Sequence, residues 1–212
     1  MRLSTLSIHI RGSLPLKLAL YLTLARIVIS PIFLLIYLNY QEFGISFLML
    51  PIILLGLLTL SELSDFFDGF IARKWDQVTD LGKILDPMAD SIARISVFLT
   101  FTQGVIKLPL LLVLVFLYRD VLISTLRTLC ALRGVTLAAR PSGKIKAVIQ
   151  AIAAFAILLL MIPYAMGHLP LETLQSISFY VVSAAAIYTV FSGVEYIYAN
   201  HMFIKQAWSK KP

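Results

Sequence analysis

An all-α membrane protein with six spanning helices is the fold class this sequence predicts, on three observations. The 212 residues are 59% hydrophobic and only 14% charged, and their mean hydropathy of +0.90 lies well outside the range of soluble domains. The apolar residues gather into six continuous runs, near Leu18–Leu38, Ile45–Leu63, Leu85–Phe101, Leu108–Cys130, Ala147–Met166 and Leu174–Tyr198, each long enough to cross a bilayer as a helix. Within the runs apolar residues are consecutive rather than alternating, and turn signals do not recur roughly every ten residues as a barrel would need.

Before the first run, Met1–Lys17 carries Arg2, Arg11 and Lys17 among Leu, Ile and Ser. Its apolar stretch is too short and too interrupted for a cleavable signal, and the segment reads as an interfacial amphipathic helix leading into a single helical domain over residues 18–200. Gly12 and Pro15 break the pattern, which leaves a basic tail as the alternative. The second run stops where charge begins, and the connection to the third carries Arg73, Lys74 and Lys83. Between the fourth and fifth runs stand Arg133, Arg140, Lys144 and Lys146, whereas the opposite connections offer only Lys107. By the positive-inside bias, both termini and the basic connections face the cytoplasm. The last run carries Tyr188, Tyr196 and Tyr198, and the basic tail 201–212 adds Trp208, Lys210 and Lys211 as interfacial anchors. The net charge of +7 suits anionic lipid and phosphorylated substrates; without a soluble domain, nucleic acid is not an expected partner.

Seven of the eleven acidic residues fall between Glu62 and Asp90. Asp65, Asp68, Gly69, Ala72, Arg73, Gly82, Asp86 and Asp90 read as DxxDGxxARx8Gx3Dx3D. Carboxylates in so apolar a chain cost free energy unless a metal, a partner or a substrate offsets it. Asp65 and Asp68 are three residues apart and Asp86 and Asp90 four, so each pair projects from one helix face. Gly69 and Gly82 remove side chains where a ligand or a second backbone approaches. Oxygen-only donors select hard cations, Mg²⁺ or Mn²⁺, and two such ions about 3.5–4 Å apart are an arrangement that clamps a phosphoryl group. A lone cysteine, Cys130, and scattered His9, His168 and His201 exclude an intramolecular disulfide and make structural zinc an unsuitable reading. Phosphoryl or phosphatidyl transfer is the chemistry that fits, with a cation-coupled transporter as the alternative from another class; that alternative gives no reason for Gly69, Arg73 and Gly82 at fixed gaps.

This string resembles the signature of the CDP-alcohol phosphotransferase family, with every fixed position and gap intact. The resemblance implies six transmembrane helices, a homodimer, and displacement of CMP from a CDP-linked donor by an alcohol. It further implies that Asp65, Asp68 and Asp86 bind the metals, that Asp90 completes the metal site and takes the alcohol proton, and that Gly69, Arg73 and Thr79 hold the cytidine diphosphate. Arg73 suits pyrophosphate in fork geometry.

Beyond the signature, Thr23 and Arg26 in Leu22–Arg26, then Arg119–Asp120, Ser124, Arg127, Ser142–Lys146 and Gln150, resemble the branch of that family that makes phosphatidylglycerophosphate. Leu20 stands where that branch usually has asparagine, and Thr23 bonds either nucleotide or its own helix backbone. The resemblance implies CDP-diacylglycerol as donor and sn-glycerol 3-phosphate as acceptor. An acceptor with its own phosphate needs an anion pocket, for which Arg119, Arg127, Lys144 and Lys146 are the candidates. Pairing of Arg119 with Asp120 is the competing reading, and Arg94 is placed to brace Asp90. Inositol phosphate is the rival acceptor.

Overall fold

The computed structural model describes residues 13–74, 80–135, 137 and 140–209, with side chains for all of these except 13–20, 22, 66, 68–74, 80–85, 207 and 209. Six helices follow in order: α1 Ser13–Asn39, α2 Leu50–Lys74, α3 Asp80–Thr100, α4 Leu110–Leu132, α5 Pro141–Ala165 and α6 Leu171–Ser209. No strand occurs among the described residues. Among the described residues two stretches, Pro141–Ala165 and Leu171–Gln206, are long and apolar enough to cross a membrane.

The body of each apolar run lies in one helix, and the differences from expectation lie at the ends. Helix α2 continues past Leu63 through the acidic residues to Lys74. Hydropathy falls where carboxylates begin, but backbone bonding from residue i to i+4 does not require apolar side chains. Helix α3 likewise begins at Asp80 rather than Leu85, so Pro87 stands inside it and has no N–H to give the Lys83 carbonyl. Helix α5 starts at Pro141, where the missing N–H costs nothing because first-turn donors have no intrahelical partner. Helix α1 already runs from Ser13, so the end of the expected interfacial segment belongs to it; residues 1–12 lie outside the described residues. Most of the expected tail, up to Ser209, continues α6.

Helix α1 packs against α2 and α3, α2 against α5, α3 against α4, and both α4 and α5 against α6. Apolar packing gathers near the connections 40–49, 101–109 and 166–170. There Phe98 and Phe116 meet edge-on at 4.8 Å, Phe33 and Tyr37 both meet the Phe101 ring, and Phe47 meets Tyr164 at 5.6 Å. The Tyr37 hydroxyl donates to the Gln103 carbonyl at 3.1 Å and Gln175 Nε2 donates to the Val105 carbonyl at 2.8 Å, tying the 101–109 turn to α1 and α6. Gly104 permits this closure: its φ is +64°, and a Cβ there would stand 2.7 Å from the Tyr37 ring. The other half of the bundle buries polar groups instead, among them Thr23, Arg26, Ser64, Asp120, Lys146 and Gln150. The sequence thus divides the molecule into a half where aromatic packing holds the helices together and a half rich in buried polar and charged groups.

Candidate active site

The acidic centre forms where α1 crosses α2 and α3. Helix α1 has no acidic residue, so Arg26 in its apolar sequence must find its counter-charge elsewhere. It does so on both neighbours: the guanidinium, 1% exposed, donates to Asp65 on α2, and the same nitrogen lies 3.5 Å from Asp90 on α3. One turn earlier, Thr23 Oγ1 donates to Asp86 Oδ1 at 2.8 Å. Arg94, four residues after Asp90, donates to it in the bracing role its spacing predicted, and also reaches the Ala147 carbonyl on α5 at 3.5 Å. Asp65, Asp86 and Asp90 are therefore held by side chains of α1 and α3, and the Asp65 and Asp90 side chains remain 41% and 31% exposed.

Thr23 meets an aspartate rather than only its own helix, and Arg26 was not among the site candidates. Its signal was present all the same: an arginine in an apolar run with no acid on its own helix requires a partner on another. Asp68, Gly69 and Arg73 fall within α2, but their side chains, and Thr79 altogether, lie outside the described residues. Among the described residues no three carboxylates close a metal site by themselves, and the expected set includes Asp68. The donor chemistry fits hard cations, since Asp65, Asp86 and Asp90 offer oxygen alone and two of them keep open faces.

A second polar cluster lies on the α4, α5 and α6 side. Asp120, 8% exposed, takes Lys146 Nζ with both carboxylate oxygens, at 2.8 and 2.9 Å. Arg119 NH1 donates to Asp120 Oδ1 at 3.0 Å, and Ser91 Oγ on α3 donates to Oδ2 at 3.2 Å. Of the four acceptor-side cations predicted, Arg119 and Lys146 are thus brought together, around a shared carboxylate. Arg127 stands apart: its Nε donates to the Tyr196 hydroxyl at 3.1 Å and its guanidinium lies over that ring at 5.2 Å. Lys144 is exposed near the start of α5. Nearby, Glu195 of α6 accepts two bonds from Arg140, at 2.9 and 2.6 Å, and one from Ser142 at 2.6 Å, which pins the approach to α5 against α6.

Two carboxylate-bearing helices joined by an arginine thus stand beside a buried cluster with two cations to one anion. Over residues 16–194, which contain both clusters, the chain matches CDP-alcohol phosphatidyltransferase. The chain belongs to that family. Among its relatives, CDP-diacylglycerol--glycerol-3-phosphate 3-phosphatidyltransferase of Bacillus subtilis is 33% identical over 190 residues, covering 87% of this chain and 95% of the relative. The proteins of that name from Rickettsia typhi and Yersinia pestis are 31% and 29% identical, covering 84% and 92% of this chain and 94% and 96% of their own lengths.

Proposed function

We propose that this chain transfers the phosphatidyl group of CDP-diacylglycerol to sn-glycerol 3-phosphate, giving phosphatidylglycerophosphate and CMP. The observation that carries the reading is the acidic motif, with Asp65, Asp86 and Asp90 gathered around α1, in a chain collinear with relatives bearing that activity's name. Asp90 takes the proton of the acceptor hydroxyl as its oxygen attacks the phosphorus bearing diacylglycerol; the new oxygen–phosphorus bond forms as the bond to CMP breaks. Arg73 and Thr79, with Gly69 giving backbone access, hold the cytidine diphosphate. Two Mg²⁺ or Mn²⁺ ions on Asp65, Asp68, Asp86 and Asp90 would supply Lewis-acid stabilisation of phosphate charge. On the acceptor side, Arg119 with Lys146 behind it, Lys144 and Arg127 supply positive charge for the second phosphate.

In this reading all six helices span the bilayer, the protein works as a homodimer, and both termini and the site face the cytoplasm. Large apolar side chains on the outer faces support a lipid-embedded bundle, with Leu111 71% and Ile187 72% exposed. Diacylglycerol chains then stay in lipid while the CDP head enters the polar half. The test is metal-dependent CMP release by purified protein from CDP-diacylglycerol with glycerol 3-phosphate, inositol phosphate, serine or glycerol. Release with glycerol 3-phosphate alone is the expected result; release with inositol phosphate reassigns the acceptor, and no release with any alcohol favours a transporter.

A further inference from the structure

Asp120 stands outside the acidic motif, yet it is the acid most enclosed by donors among the described residues: Lys146 on both oxygens, Arg119 on one and Ser91 on the other. Such a carboxylate fixes direction, because each donor it accepts loses freedom to point elsewhere. The surroundings of Arg119 sharpen this. A Cβ at Gly193 on α6 would lie 3.1 Å from Arg119 Cγ, and one at Gly143 on α5 would lie 3.4 Å from its NH2. The side chain threads a slot made by two glycines, with its Nε buried and making no hydrogen bond among the described residues. In that slot, Asp120 is what sets where the guanidinium ends. Of the three charged groups Arg119 keeps the most exposure, 13% of its side chain against 6% for each of the others, so it is the one left to face a ligand.

The cluster is also wired to the acidic centre. Ser91 follows Asp90 directly on α3, and Arg94, which braces Asp90, reaches the carbonyl of Ala147, the residue after Lys146. Two bonds therefore join the α4–α5 side to the turns of α3 that carry Asp90.

We propose that Asp120 is a positioning residue for the acceptor: it orients Arg119 toward the acceptor phosphate and, through Ser91, registers that group against Asp90. This rests on the acceptor assignment above. Lys146 in this arrangement holds Asp120 in place rather than touching substrate, which divides the two cations by role. Asp120 contributes no atom to the reaction and acts through Arg119 alone.

The experiment measures Michaelis constants for acceptor and donor in detergent-solubilised, full-length protein. Wild type comes first, with glycerol 3-phosphate and the other acceptors. If wild type uses inositol phosphate instead of glycerol 3-phosphate, the substrate reading falls and the Asp120 comparison proceeds with inositol phosphate; use of serine or glycerol, which carry no phosphate, overturns both. Asp120→Asn should raise the acceptor constant about tenfold or more and leave the donor constant within about twofold, as expected for a lost charge-assisted bond. Arg119→Gln combined with Asp120→Asn should be no worse than Arg119→Gln alone, because Asp120 acts through Arg119. Ser91→Ala removes one uncharged donor and leaves every charge paired, so it keeps the test open if Asp120→Asn fails to fold. It should raise the acceptor constant about two- to tenfold with the donor unchanged. Equal loss of donor and acceptor affinity, additive effects in the double variant, or an unchanged acceptor constant in Ser91→Ala and Asp120→Asn overturns the proposal.

Discussion

Arg26 and Asp90, 3.5 Å apart, tie α1 to α3 at the scale of single residues. Asp90 is bonded by Arg94 and approached by Arg26, so its carboxylate is held in one orientation before any substrate arrives. Asp90→Asn should abolish CMP release while leaving CDP-diacylglycerol binding largely intact, since an amide fills the space but cannot take the hydroxyl proton. Equilibrium binding of labelled donor beside turnover checks this, and near-normal turnover removes Asp90 from the base role. Arg26→Gln should lower stability by about 1–3 kcal/mol, discounted from a fully buried pair because Asp65 and Asp90 are partly exposed. Melting in detergent with and without Mg²⁺ measures it, and added Mg²⁺ should protect the variant more than wild type. The carboxylates were readable in the sequence because a charge in an apolar run is conspicuous. Arg26 was conspicuous for the same reason, but which carboxylates it meets was not readable, because pairing across helices depends on which faces meet.

At the scale of elements, helix number and order were readable and helix ends were not. Hydropathy registers transfer into lipid, whereas a helix ends where backbone bonding ends, and α2 and α3 carry that bonding through the charged motif. The 101–109 turn could not be anticipated either, because the demand on Gly104 comes from Tyr37 on another helix. Gly104→Ala should destabilise by about 1–3 kcal/mol, combining a left-handed backbone with a contact too close to the ring. Melting curves test this, and Gly44→Ala is the control: its φ is also positive, at +67°, but no atom lies within 4 Å of its added Cβ. A greater loss at Gly104 isolates the ring contact. On α4, the aspartate beside Arg119 was visible as a pairing candidate, but the two glycines that form the slot reveal themselves only when α5 and α6 are brought alongside.

For the whole molecule, the basic connections and the division into aromatic and polar halves make one orientation testable. In a background lacking Cys130, cysteines placed at Lys74 and Lys210 should resist an impermeant thiol reagent added outside intact cells, and one at His168 should react. Labelling at Lys74 from outside would reverse the assigned faces. The arginine of α1 has a consequence in time as well as in space. Arg26 is synthesised 39 residues before Asp65, a delay of about 2–8 s at ribosomal rates of about 5–20 residues per second, and Asp90 comes later still. On the proposed six-span topology, α1 thus enters the membrane with a cation whose counter-charges do not yet exist, at a cost of about 2.5–3.5 kcal/mol if Arg26 stands near mid-bilayer. Until α2 and α3 arrive, that topology leaves lipid headgroups, water or the insertion machinery to shelter the charge, and docking of α2 and α3 is what releases it into the bundle.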